Sequence, residues 1–391
     1  MKQDIPHGDL SQPGAECAVE SPAAAGPLAA VEAYLTDNAA LREALASEPQ
    51  AVLQASPLGK GEHNANFLLT DAATGRRFVL RVCMVPQPFH ARQVVYEYEA
   101  LKALEGSGCV PVALYVVDGP AAPGKGVLVE SFCEGSELDF DHLRPGDLAC
   151  VAEMMADVHA VPVADDCPLH RPADPLEELY AECVARHEVW RGTAFEDARF
   201  ERWIERFFKA TRASIDAAPA PTGVRHIINT ETLPSHFLLP ATGAGAAPAT
   251  GEVPRLRGAG TARAAGVSGH PGTFLDWERP IVGEVAQDIA FFVAPSTTFW
   301  DSGYLFARSA VGPFVEEYWR AVGGRFGRGD FDARFEAYLR VSVLRSQTWF
   351  CKNAARYAPG ADGHTTARTF EKWDTYVSDE FNEMLYEECF R

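Results

Sequence analysis

The sequence predicts an α+β fold, with a small β-rich N-terminal unit followed by a larger, mainly helical part. Three observations predict it. Residues 51–132 hold strand-like runs, broken by Gly/Pro turns, around a single helical pattern. After 134-EGSEL-138 the apolar period lengthens to three and four residues over long stretches. The 391 residues exceed one average domain, and their 47% hydrophobic and 23% charged content is ordinary for a globular chain.

Taken in order, residues 1–28 are rich in Ala, Gly, Pro and Ser, and the expectation is a disordered tail. A helix is expected over 28–46, where Leu28, Val31, Tyr34, Leu35 and Leu41 recur near helical spacing. The run 51-AVLQASPLGKGEHNANFLLTDAATGRRFVLRVCM-84 reads as strands joined by a glycine turn and by a second turn at 71-DAATGRR-77, with FVLRV a buried strand. Val94, Tyr98, Leu101 and Leu104 predict a helix at 90–106, and 112-VALYVVD-118 and 126-GVLVESF-132 two further strands. Beyond them, helices are expected at 147–161, 197–216, 303–322 and 330–356. The segment 241–272 is Ala/Gly/Pro-rich and poor in large apolar residues, so 243–270 is expected to be a flexible insertion rather than a domain.

The formal net charge of -19 argues against nucleic acid or an anionic membrane as a partner, because phosphates are repelled. No apolar stretch of membrane-spanning length occurs, and MKQDIPHGDLSQPG lacks the apolar core of a signal peptide. The expectation is a cytoplasmic protein. Its nine cysteines form no CxxC pair and read as small buried hydrophobes, with 167-CPLH-170 an incomplete metal motif. The basic residues of 197–216 read as a solvated helix face.

Several pieces carry chemistry. The turn 59-GKGEHNANF-67 lies between strands, so it is neither a P-loop nor a Rossmann fingerprint. A Gly-rich hairpin can fold over nucleotide phosphates, although any tight β-turn has a similar outline. Arg81 stands within an apolar strand and needs a partner, for which Glu97 and Glu99 both qualify, unless it points to solvent. Next come a hinge-like segment at Glu130, Ser131 and Phe132, a loop in 226-HIINTETLPSHFLLP-240, and 273-TFLDWERP-280. The order of these six pieces is more specific than any one of them.

With these motifs the chain resembles the aminoglycoside phosphotransferase and choline kinase-like family over residues 52–355. 57-PLGKGEHNANFLL-69 resembles the family's nucleotide loop, 78-FVLRV-82 its strand cation, and 96-YEYEALKAL-104 its paired helix. 149-ACVAEMMADVHAVP-162 resembles the helix ending in His-x-x-Pro, and 275-LDWE-278 with 284-EVAQDIAFF-292 its metal-binding strand and following helix. The resemblance implies a protein-kinase-like two-lobed fold. A five-stranded nucleotide-binding lobe over 29–132 would precede a helical catalytic and substrate lobe over 133–391.

It also implies ATP and Mg²⁺ as cofactors and a small-molecule hydroxyl as acceptor. Gly61, Asn64, Arg81, Glu97, Glu130 and Phe132 correspond to nucleotide-binding positions, and Asp276 to a catalytic and metal-binding one. The catalytic loop departs from the family's His-Gly-Asp-Leu-His-Pro-Gly-Asn. Glu231 stands where the catalytic Asp is expected, and His236 where a metal-binding Asn is expected. A subgroup carries an Asn-Thr-Glu loop and an Ala-Pro-Thr-Thr-Thr-Phe-Trp segment, which 294-APSTTFW-300 resembles. Glu278, Glu284 and Glu316 mildly favour an amine-bearing substrate. His236 leaves open a pseudokinase that binds nucleotide or a metabolite without phosphoryl transfer.

Overall fold

The computed structural model describes residues 25–45, 52–60, 63–86, 91–193, 195–240, 272–353 and 372–391. Gly61, the expected insertion at 243–270 and most of the expected tail lie outside these residues.

The N-terminal lobe is a five-stranded antiparallel sheet in the order β1-β2-β3-β5-β4, built from β1 (Leu53–Lys60), β2 (Asn64–Asp71), β3 (Arg77–Cys83), β4 (Ala113–Asp118) and β5 (Gly126–Ser131). Alternation along the strands sorts the residues onto two faces. Phe67, Leu69, Phe78, Leu80, Val82, Val127 and Val129 pack beneath α1 (Ala25–Asp37) and α2 (Ala39–Leu45) through Val31, Leu35, Leu41 and Leu45. The single helix expected over 28–46 is therefore two. Asn38 interrupts it, and its Oδ1 accepts from Leu41 N at 2.9 Å to open the second helix.

On the opposite face, register aligns the residues that matter. Arg81 pairs with Asn66 on one side and Leu128 on the other, and Val79 pairs with Glu130. Asn64, Arg81 and Glu130 thus share one face of the sheet. Helix α3 (Gln93–Leu104) packs there, burying Gln93, Val94, Glu97, Ala100, Leu101 and Leu104 along one stripe.

The second lobe is mainly helical: α4 (Asp147–His159), α5 (Pro175–Trp190), α6 (Ala198–Ala217), α7 (Val285–Val293), α8 (Pro295–Ser302), α9 (Arg308–Val322), α10 (Phe331–Asn353), α11 (Trp373–Val377) and α12 (Asp379–Phe390). The helix expected over 303–322 starts at Arg308, because Gly303 at φ 80° closes α8 first. Helix α5 has a weakly amphipathic sequence and is capped by Asp174, which accepts from Leu176 N. The basic residues of α6 are not simply solvated: Arg206 lies over the rings of Trp203 and Tyr386, and Arg212 pairs with Glu177 and Asp216.

Two small sheets pack against α4 in the core of the second lobe. One pairs β7 (His226–Ile228) with β10 (Ile281–Gly283), and the other orders β6 (Ser136–Glu137), β8 (Phe237–Leu239) and β9 (Thr273–Phe274). Glu231 lies in the β7–β8 connection and Asp276 in the β9–β10 turn. Among the described residues no helix is long and apolar enough to cross a membrane, and no group of three His, Cys, Asp or Glu is preassembled around a metal site.

Candidate active site

Two buried charge clusters meet at the β7–β8 and β9–β10 turns. The first gathers around Arg81. Its Nε lies 3.2 Å from Glu97 Oε2, and one terminal nitrogen reaches Asp276 Oδ1 at 3.2 Å and Glu278 Oε1 at 2.8 Å. Of the two candidate partners on α3, Glu97 makes the pair, because it shares the inward stripe with Val94, Ala100 and Leu101. Gln93 steadies the arrangement by donating to Glu97 Oε1 at 3.0 Å and to the Glu278 carbonyl at 2.6 Å. Asn64 donates to Glu278 Oε1 and leaves its own buried Oδ1 without a partner.

Four carboxylates, Glu97, Glu130, Asp276 and Glu278, act on this one guanidinium and hold it charged, well above the usual arginine range despite burial. The acids respond in the opposite sense. Burial pushes Glu130 up to about 7, and burial raises Glu97 and Glu278 as well, with Asp276 adding repulsion. The sheet face therefore gathers four acids around a single cation, an arrangement that a further cation would suit. Phe132, at the end of the hinge-like segment, stacks instead against the Arg77 guanidinium at 4.3 Å.

Asp276 itself is strained. It takes φ 60° and Thr230 takes φ 73°, the two positive-φ residues other than glycine among those described. A β-branched residue in this region is unfavourable, at about 1–3 kcal/mol, and persists where its surroundings hold it. Those surroundings are explicit. Asp288 of α7 accepts from Asn229 N at 2.8 Å and Thr230 N at 2.7 Å, and its carbonyl accepts from the Thr232 hydroxyl at 2.8 Å. The fully buried His159, at the end of α4, lies 3.2 Å from the same carboxylate and 2.9 Å from the Tyr318 hydroxyl. Asn229 donates to the Asp276 carbonyl at 2.7 Å while its Oδ1 accepts from Glu231 N at 3.0 Å. The loop carrying Glu231 and the turn carrying Asp276 are thus stitched into one unit.

His236 faces Asp276, with Nε2 at 3.3 Å from Oδ2, and its buried Nδ1 has no hydrogen-bond partner. A Mg²⁺ ion fits the donors here in part. Asp276 and Glu278 supply hard oxygen ligands, as this ion prefers, whereas the imidazole of His236 is a softer donor suited to other metals.

The second cluster surrounds Glu231. Its Oε1 accepts from Arg345 at 2.5 Å and from Arg279 at 3.3 Å. Arg279 also donates to Glu182 at 3.1 Å, Arg186 donates to Glu182 at 2.5 Å, and Arg345 donates to the Thr230 carbonyl at 3.2 Å. Burial alone would raise the Glu231 carboxyl, but Arg345 and Arg279 outweigh it and hold it down at about 2. Glu182 is depressed further by Arg186, Arg345 and Arg279. Sequence reasoning missed Glu182, Arg186, Arg279, Arg345 and the anchoring Asp288. The charged residues of α5 and α10 look like a helix's solvent face until the two helices pack on each other.

Residues 54–226 match the model of the phosphotransferase enzyme family. Among solved structures, a proposed aminoglycoside phosphotransferase from Ralstonia eutropha superposes with TM-score 0.61 at 14% identity, covering 92% of this chain and 97% of that one. A microcompartment-associated aminopropanol kinase gives 0.57 at 15%, covering 90% and 98%. A thermostable aminoglycoside phosphotransferase in ternary complex with ADP and hygromycin B gives 0.54 at 14%, covering 89% and 97%. No curated protein matches the sequence. Over residues 54–226 the chain is similar to this family. At these identities the structural neighbours carry the two-lobed kinase-like fold, and the motif residues of this chain carry the rest.

Proposed function

We propose that this phosphotransferase-like protein transfers the γ-phosphoryl group of ATP to a hydroxyl of a small molecule. The observation that carries the reading is the meeting of three separate elements at Arg81: strand β3, helix α3 through Glu97, and the β9–β10 turn through Asp276. Phosphoryl transfer depends mainly on positioning and on neutralising developing charge, and this junction is built for both. Structural neighbours described with ADP support a nucleotide in the cleft.

In the proposed reaction the acceptor oxygen bonds to the γ-phosphorus. The bond from that phosphorus to the β–γ bridging oxygen breaks, and ADP leaves with the electron pair. Arg81, released from the acids, contacts the α- and β-phosphates. Asn64 on β2 lies beside them, while Glu130, and Phe132 stacked on Arg77, border the adenine side. Asp276 and Glu278 would hold Mg²⁺, which would neutralise charge developing on the transferring phosphoryl group.

Glu231 keeps its negative charge at neutral pH beside two arginines, so it is a weak base. Its role is to accept a hydrogen bond from the acceptor hydroxyl and aim it, and the hydroxyl proton ends on an oxygen of the transferred phosphoryl group as the new bond forms. The test is ADP formation by the full chain with ATP, Mg²⁺ and a mixture of hydroxyl-bearing metabolites, with the phosphorylated product identified by mass. Nucleotide binding without any product would favour the second reading, a pseudokinase. One observation speaks for that reading: Arg81 and His236 engage both oxygens of Asp276.

A further inference from the structure

The cluster around Glu231 contains more positive than negative charge. Three guanidiniums, Arg186, Arg279 and Arg345, face two carboxylates, Glu182 and Glu231. Each guanidinium has five N–H donors in a fixed fork. The two acids and the nearby carbonyls of Thr230 and Arg345 accept only some of them. Arg345 is 4% exposed, and its Nε finds no hydrogen-bond acceptor. Crowding of this kind is costly. Burial, with repulsion from Arg345 and Arg279, lowers the proton affinity of Arg186, which is unusual for an arginine.

The cluster is not sealed. The side chains of Arg279 and Glu231 keep 19% and 33% of their exposure, while Arg345 and Arg186 behind them keep 5% and 9%. An excess cation is therefore reachable from the cleft and backed by two buried ones. The acids expected to draw an amine are already engaged. Glu284 is held by Arg225, Arg334 and the Tyr338 hydroxyl, Glu316 by Arg328, and Glu278 by Arg81 and Asn64.

We propose that the acceptor carries an oxyanion, a carboxylate or a phosphate, seated against Arg279 and Arg345 beside Glu231. This deepens the phosphotransferase reading and rests on it for the word acceptor. The pairing suits the chemistry: a planar guanidinium binds a compact oxyanion through two parallel hydrogen bonds, which an ammonium group cannot accept. The extra negative charge balances the third arginine. The same contact places the acceptor's hydroxyl next to the carboxylate that aims it.

The experiment uses the full chain with ATP and Mg²⁺ and four probes: glycerate, glycerol 3-phosphate, ethanolamine and glycerol. ADP formation should be at least about 10-fold more efficient, as kcat/KM, with one of the two oxyanion-bearing probes than with ethanolamine or glycerol. Which of the two it is identifies the carboxylate or the phosphate. Arg279→Gln should raise KM for that probe on the order of 10- to 100-fold, with a smaller change in kcat, and Arg279→Lys should recover part of the loss.

Calorimetric titration of glycerate and glycerol 3-phosphate into the ADP-loaded chain gives a second readout that needs no turnover. Turnover confined to ethanolamine, or an Arg279→Gln variant with unchanged KM, overturns the oxyanion inference and leaves the kinase reading standing. Binding that is lost in Arg279→Gln without any turnover upholds the oxyanion site and removes the kinase reading. Neither binding nor turnover overturns both.

Discussion

The two charge clusters differ in sign although both are buried at the same cleft. Around Arg81, four carboxylates share one guanidinium; around Glu231, three guanidiniums share two carboxylates. A buried network that falls short of neutrality is expensive, and its missing charge is a clue to what completes it. The first cluster lacks cations, as a site for a metal-bound nucleotide would. The second lacks an anion, as a site for a negatively charged acceptor would. One feature of the fold makes both: turns β7–β8 and β9–β10 lie side by side, so Glu231 turns toward α5 and α10 while Asp276 turns toward the sheet.

The largest effect should come from Asp276→Asn. It removes a carboxylate from the cation-seeking cluster where no other residue takes φ 60° beside both Arg81 and His236. Mg²⁺-dependent turnover should fall by at least about 100-fold, as expected when a charged group at the transferring phosphoryl is lost. Steady-state ADP release measures it. Turnover and Mg²⁺-dependent nucleotide affinity that both survive would show that the acid-rich cluster is structural.

Arg81→Met tests how far the same cluster depends on its one cation. Removing the guanidinium leaves Glu97 and Glu130 buried without a counter-charge, which costs about 3–5 kcal/mol for a broken buried pair. The loss should be large in urea melts at pH 8 and much smaller at pH 5, where the acids can take up protons instead. Equal destabilisation at both values would mean that packing of the side chain, not its charge, matters.

How far these clusters could be read from the sequence follows from where their residues lie. Arg81, Glu97 and Asp276 were legible because each sits in a local motif with its own period or turn, and the motifs come in a specific order. The five-stranded sheet was legible for the same reason: its strands are short, alternating and punctuated by turns. Arg186, Arg279 and Arg345 were not legible. They come from α5, the β9–β10 turn and α10, over 150 residues of sequence apart at the extremes, and nothing local marks a charged helix residue as buried. Helix α5 escaped altogether, since PLEELYAECVARHEVW has a weak apolar stripe and is held by the long contact with α10. Asp288 sits beside Gln287 in the otherwise apolar helix α7. Only the packed loop shows that it receives two backbone N–H groups.

A smaller and more informative effect is expected from His236→Asn. Here the imidazole touches Asp276 through Nε2 while its buried Nδ1 is unpartnered, so the ring is not fully used by the fold. Asparagine offers an oxygen ligand at the same position. Turnover with Mg²⁺ should rise on the order of 10-fold, and any preference for Mn²⁺ should diminish. Turnover measured with each metal in parallel checks both. A fall that neither metal rescues would mean that the histidine orients Asp276 directly, and that the cation-seeking cluster works through it.

The smallest effect separates the clusters by pH. Burial raises Glu130 to about 7 in the folded chain, whereas an unfolded glutamate titrates near 4.5. Between those values the folded state holds more protons than the unfolded one, so stability falls as pH rises from about 4.5 to 7 and then levels. Glu130→Gln removes that group's contribution. The variant should match the parent at pH 4.5 and gain on it by on the order of 1 kcal/mol per pH unit until about 7. Glu231 behaves oppositely. Its arginines lower it from 4.5 to about 2, so its contribution is complete above 4.5 and disappears as pH falls toward 2. Glu231→Gln should therefore be less stable than the parent at neutral pH and converge with it in acid. Urea melts of the three proteins from pH 3 to 8, without metal or nucleotide, give both curves. If the two variants diverge from the parent in the same direction over the same pH range, the opposite charge balance of the two clusters is wrong.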